Sequence, residues 1–218
     1  MAKVSILPIN FNLVDKDLWV FDFDGVLVNS VDIKTSAFAA IYRSYGSYVE
    51  DQVVAHHRKN GGMSRYEKFA YYQSEFLGLE VTPEVVQKLS DRFSDLVMKS
   101  VVMSDEVEGV SNILAYCGQH GITCAIASAT PQDEVREIVK LRGWAEKFKF
   151  IFGAPQSKTN NITRIMKEAS SSRSKTIFFG DSPNDLTASN ECQIDFVPIN
   201  FLGEDDSGFR DFLSNNNI

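Results

Sequence analysis

Cysteine is scarce in this chain. Cys117, Cys124 and Cys192 are odd in number and carry no CxxC or Cys/His spacing, which argues against a disulfide framework and against a zinc site. Reduced thiols fit the cytoplasm. Basic charge is short as well: 22 Lys and Arg against 29 Asp and Glu leave a net charge of -7, and the cations are scattered singly. Nucleic acid, which demands a basic footprint, is therefore not an expected partner. Long apolar runs are missing too, since nothing approaches the ~20 residues of a transmembrane helix. The opening stretch MAKVSILPINFNLVDKDL has a short apolar patch broken by Pro8 and Asn10, without the h-region of a secretory leader. The expectation is a soluble cytoplasmic protein, monomer or homodimer, with no membrane partner.

What is present is an ordinary globular composition, 44% hydrophobic and 23% charged over 218 residues, enough for one large domain or a core with a smaller insertion. Five short apolar runs recur: LWVFDF (18–23), ITCAIA (122–127), FKFIFG (148–153), KTIFFG (175–180) and IDFVPI (194–199). They are too short and too uniformly apolar for surface helices, and read as strands buried on both faces, the pattern of a parallel sheet. Between them EGVSNILAYCGQHG, PQDEVREIVKLRG and KTNNITRIMKEAS carry helical spacing, with Gly121 and Gly143 as stops. Strand–helix alternation of this kind predicts an α/β, Rossmann-like doubly wound sheet with ligands at the carboxyl ends of its strands.

One interval breaks the rhythm. From about Asp32 to Met103 no strand candidate occurs, while IKTSAFAAIYRSYG, MSRYEKFAYYQSEFLG and TPEVVQKLSDRFSDLVMKS are spaced as helices, the last starting with Thr82 as N-cap and Pro83 at the first helical position. The expected organisation is a core of residues 1–31 and 104–218 with a helical cap, 32–103, inserted after the first strand. The polar tail from about Gly203, ending SNNNI, is expected to fray at its end.

The chemistry sits where the apolar runs end. WVFDFDGVLVNS (19–30) places Asp22 and Asp24 inside an apolar stretch, where an unpaired charge costs several kcal/mol. Strand alternation predicts that both project to one side, and Gly25 lets the backbone turn or lie close to a ligand. A tight D-G turn would account for Asp24 and Gly25, but not for Asp22. GDSPNDL (180–186) follows a second apolar run and adds Asp181 and Asp185; helix capping alone would explain those acids. Two strands ending in paired acids, if adjacent, make a carboxylate cluster that needs a cation, and hard oxygen ligands beside a phosphate select Mg²⁺. IASATP (126–131) offers the Ser128 hydroxyl and backbone amides from Ala129 onward for phosphate oxygens, and Lys158 follows the third run after a loop.

In this order FDFDGVLVNS, IASAT, Lys158 and FFGDSPND resemble the four motifs of the haloacid dehalogenase-like superfamily of phosphohydrolases, over most of residues 17–200. The helical interval is similar to the cap of the branch that includes phosphoglycolate phosphatase and β-phosphoglucomutase. The resemblance implies Asp22 as nucleophile and Asp24 as acid/base whose backbone carbonyl also binds Mg²⁺. Ser128 and Lys158 would then be phosphate clamps, Asp181 a metal ligand, and Asp185 a support for the metal's water shell. The implied activity is Mg²⁺-dependent hydrolysis of a small metabolite phosphomonoester, a sugar phosphate among the options, through an aspartyl-phosphate. A phosphomutase and a non-catalytic phosphate-binding protein are the alternatives. Lys34 stands where the mutase pattern has a histidine, which weakens the first, and the presence of both motif-one acids weakens the second.

Within the cap, HHRKNGGMSRYEKF (56–69) combines a Gly61–Gly62 break with Arg58, Lys59, Arg65 and Lys68. Arg65 and Lys68, three apart, share a helix face and are candidates for contacting the substrate; a solvated surface helix would carry the same pattern.

Overall fold

The computed structural model describes residues 13–203, 207–216 and 218. The first twelve residues, with most of the N-terminal apolar patch, lie outside the described residues, as do residues 204–206 and Asn217 in the tail. The chain runs β1 (Leu18–Phe21), α1 (Val31–Tyr42), α2 (Ser47–Lys59), α3 (Arg65–Tyr71), α4 (Pro83–Met103) and α5 (Val110–His120). It continues as β2 (Thr123–Pro131), α6 (Gln132–Leu141), β3 (Phe150–Ala154), α7 (Lys158–Ala169), β4 (Thr176–Gly180), α8 (Pro183–Cys192), β5 (Asp195–Pro198) and α9 (Arg210–Asn215).

The five strands form one parallel sheet in the order β3-β2-β1-β4-β5. Strand order reverses at β1, so the gap between the ends of β1 and β4 is the switch point where such sheets leave room for a ligand. Uniform burial along β1 has a simple cause. Leu18 and Val20 pack with Ala125, Phe178, Ile162 and Ile165 on one face, while Trp19 and Phe21 pack with Ile126, Phe179, Ile113 and Ile138 on the other. Phe21 and Phe179 stack 4.8 Å apart across the β1–β4 ladder. Each such buried side chain contributes about 1.5–3 kcal/mol.

Every apolar run expected as a strand is one. β1 stops at Phe21 rather than Phe23, although the Asp22 N–H still donates to the Phe179 carbonyl at 2.9 Å. Ahead of the SNNNI end expected to fray, the tail is not wholly polar in its packing: Phe209, Phe212 and Leu213 on and beside α9 are buried against Trp19 and Phe179.

Residues 31–103 hold helices and no strand among the described residues. α2 is not among the helical stretches expected from the sequence, and it ends at Lys59, just before the Gly61–Gly62 break. Phe38, Phe69 and Phe93 from α1, α3 and α4 meet with ring centroids 4.4 to 6.0 Å apart and give this group its core. α3 starts where it does because Ser64 and Glu67 form a capping box, which restarts the helix after the Gly61–Gly62 break and turns Arg65 and Lys68 inward. No helix among the described residues is long and apolar enough to cross a membrane.

Candidate active site

Asp22, Asp24, Gly25, Ala129 and Asp181 at the strand ends, with Arg65 and Lys68 from α3, line one cavity of about 560 Å³. Asp22, Asp181 and Asp185 each bring a carboxylate oxygen within 4.8 Å of the others. Lys158 ties them together: its Nζ lies 2.7 Å from Asp22 Oδ2 and also pairs with Asp185 Oδ1. Burial pushes the Asp22 carboxyl up to about 7, because the facing charges of Asp185 and Asp24 add to desolvation and Lys158 offsets them in part. Asp181 is raised well above the usual carboxylate range by the same burial, with Asp22 and Asp185 facing it. Desolvation works against the Lys158 ammonium, yet Asp185 and Asp22 hold it protonated. One lysine thus faces three buried acids, a charge imbalance that a divalent cation would correct.

Asp185 also serves the local fold. Its Oδ2 accepts from Ser182 N at 3.1 Å and Ser182 Oγ at 2.6 Å, closing a capping box behind Pro183 at the start of α8. Capping and function coincide in one residue, with Oδ2 facing the helix start and Oδ1 facing Lys158. Gly25, at φ +79°, could not carry a side chain: a Cβ there would lie 2.3 Å from Asp181 Oδ2. The close approach of motif one to motif four therefore depends on that glycine.

Asp24 departs from the alternation expected of a strand. The chain has left β1, and its carboxylate turns away from the three-acid cluster to accept from Ser30 Oγ at 2.6 Å, Lys34 Nζ at 2.5 Å and Thr130 Oγ1 at 2.8 Å. Burial alone would raise its pKa, but Lys34 and the three hydrogen bonds win and hold it at about 2. Any metal contact from Asp24 would have to come from its backbone, since its side chain is not one of the clustered carboxylates.

Ser128 is buried, and its hydroxyl accepts from the Thr130 N–H at 3.1 Å. Thr130, rather than Ser128, lines the cavity beside Ala129. Arg65 is buried instead of solvated: its guanidinium forks onto Glu134 of α6, donates to Ser94 Oγ at 2.8 Å and lies 4.4 Å over the Phe93 ring. Both ends of the guanidinium are engaged within the protein. Lys68 is buried as well, and its Nζ meets His57 Nδ1 at 2.9 Å.

The sequence reading assigned no role to Ser30, Thr130, His57 or Glu134. Ser30 and Lys34, four apart at the head of α1, carried a readable signal; Glu134 had none, being joined to Arg65 only by tertiary packing.

The family model for haloacid dehalogenase-like hydrolases matches residues 19–199. The phosphoglycolate phosphatase of Psychrobacter arcticus is 22% identical over 200 residues, covering 86% of this chain and 85% of that protein. That of Colwellia psychrerythraea is 23% identical over 206 residues, covering 88% and 89%. Among solved structures, a β-phosphoglucomutase from Clostridium difficile superposes with a TM-score of 0.72 at 16% identity, covering 93% of this chain and 97% of that one, a likeness of fold. With the motif-bearing strand ends gathered at the sheet's switch point and the family model spanning most of its length, this chain belongs to the haloacid dehalogenase-like hydrolases.

Proposed function

We propose that the protein is a phosphomonoesterase that hydrolyses a small phosphorylated metabolite through a phosphorylated Asp22, with Mg²⁺ as its cofactor. The observation that carries this reading is Asp22 itself: a buried carboxylate on a ligand-sized cavity, 2.7 Å from Lys158 and clustered with Asp181 and Asp185. Residues 32–103 act in this reading as a cap over a core built from the rest of the chain. Phosphoglycolate, named in the curated relatives, and sugar phosphates are the candidate substrate classes. The buried thiols, none of them in a disulfide, fit a reducing compartment such as the cytoplasm.

The donor set suits the metal. Asp22, Asp181 and Asp185 offer hard oxygens in a cluster of three acids that shares one lysine, Lys158, and Gly25 keeps space beside Asp181. When bound, Mg²⁺ would neutralise phosphate charge and help hold the phosphoryl group in line. The protein's own groups supply the rest. An Asp22 oxygen attacks phosphorus as the ester P–O bond breaks, and the leaving alkoxide takes a proton relayed by Asp24, which is ionised at rest and first collects that proton from the monoanion of the bound phosphomonoester. Water then gives a proton to Asp24 and attacks phosphorus, the P–O bond to Asp22 breaks, and inorganic phosphate leaves. Lys158 offsets repulsion between Asp22 and the incoming phosphate.

Ser30, Lys34 and Thr130 hold Asp24 ionised, ready for the second half-reaction. Asp24→Asn is therefore expected to stall hydrolysis after transfer. Intact-mass measurement of the variant after exposure to an activated aryl phosphate should find one added phosphoryl group; a variant that turns over at the wild-type rate without accumulating it would overturn the role. Chelation should remove activity on a phosphometabolite panel and Mg²⁺ restore it, and full activity after exhaustive chelation would remove the cofactor from the reading. The mutase alternative gains nothing here, since Lys34 rather than a histidine contacts Asp24.

A further inference from the structure

The buried cations of the site differ in one respect. Lys34 is paired with Asp24, Arg65 with Glu134, and Lys158 with Asp22 and Asp185, whereas Lys68 has no carboxylate partner. Among the described residues it is the one buried lysine or arginine left so. Its ammonium, on a side chain 3% exposed, meets the His57 ring nitrogen at 2.9 Å and lies 5.6 Å over the Phe38 ring. Burial first, then the charge of Lys34, pulls it down to about 7, and burial holds the neighbouring His57 neutral. An ammonium in that position costs stability, which the His57 nitrogen, the Phe38 ring and the unbonded Asp24 and Asp181 charges offset only in part.

Lys68, His57, Phe38 and Phe93 all line the same cavity as Asp22 and Asp181. Lys68 shares that lining with Asp24, which places its ammonium on the cavity where phosphoryl transfer would occur. We infer that Lys68, steadied by His57, receives a carboxylate of the substrate, and that the enzyme acts on short phosphorylated acids rather than on uncharged sugar or polyol phosphates. The two aromatic rings leave room for a few apolar carbons between the two anionic ends. A sugar or polyol phosphate would leave the ammonium unpaired, and sites that bury a polar group discriminate strongly against ligands that fail to satisfy it.

This inference rests on the phosphatase reading, and the experiment separates the two. Full-length protein with Mg²⁺ is assayed on two pairs of esters, phosphoglycolate against 2-hydroxyethyl phosphate and 3-phosphoglycerate against glycerol 3-phosphate. The members of each pair differ by a carboxylate in place of a hydroxymethyl group. The wild type is expected to favour the acid of at least one pair by about 100-fold or more in kcat/KM. Lys68→Met should reduce that acid-to-alcohol ratio by about 100-fold, and Lys68→Arg, which keeps the charge, should retain most of it. Removing a buried unpaired charge should also leave the thermal midpoint of Lys68→Met at or above that of the wild type, which a purely structural lysine would not do. Hydrolysis of both members of each pair at similar rates, or an unchanged ratio in the folded Lys68→Met protein, overturns the inference and leaves the phosphatase standing. Hydrolysis of none of the four esters while a sugar phosphate or an activated aryl phosphate is turned over overturns the inference alone, whereas no turnover of any of these, with or without Mg²⁺, sinks the phosphatase reading itself.

Discussion

Asp22→Asn is expected to reduce kcat by about 10⁴-fold or more while the protein stays folded. The amide has nearly the shape of the carboxylate but no charge to present to phosphorus, so the covalent step has no nucleophile. Residual catalysis would come from binding and from Lys158 alone. The fold should survive for a reason visible in the site. Asp22 is one of three buried acids facing one lysine, so removing its charge relieves repulsion from Asp185 and Asp24 while it weakens the contact with Lys158. Phosphate release on the best ester and a thermal melt, measured on the same preparation, check both halves. Activity within tenfold of the wild type would rule out Asp22 as the attacking group.

The second large effect is on stability. Arg65 and Glu134 form a charge pair with side chains 4% and 8% exposed, joining α3 to α6, with Ser94 of α4 bonded to both. Truncating one member strands the other as an uncompensated buried charge, which costs about 3–5 kcal/mol. A domain of this kind has about 5–15 kcal/mol in all, so Arg65→Ala should move the urea midpoint far down or leave a partly unfolded population. The double variant Arg65→Met/Glu134→Leu removes both charges and fills similar volume, and should recover most of the loss. A single Arg65→Ala variant within about 1 kcal/mol of the wild type would mean that the pair is screened by solvent.

Much of the core was legible because parallel strands are buried on both faces and so announce themselves as apolar runs. LWVF, TIFF and their companions have no polar alternation to mistake for a surface strand. The helices α4 to α7 were equally clear from one-sided apolar spacing and from the Thr82–Pro83 start. α2 was not, because its buried face rests on Val53 and His57 against the other cap helices, too little apolar content for periodicity to register. α9 escaped for a related reason: it is short, and Phe212 and Leu213 become core residues only because Trp19 and Phe179 happen to lie beneath them.

For the site, the chain by itself determined which residues carry chemistry. Acids placed at the ends of apolar runs are costly there, and the cost marks them, as with Asp22 and Asp181. Tertiary structure decided what each of those residues faces. Asp24 turns to Lys34 and Thr130, Arg65 closes on Glu134, and Lys68 is left with a histidine in place of an acid. Partners of this kind sit up to 106 positions apart in the chain, as Asp24 and Thr130 do. Local pattern records the cost of burying a charge, whereas its compensation depends on which helices and strands pack together, and that is a property of the folded molecule alone.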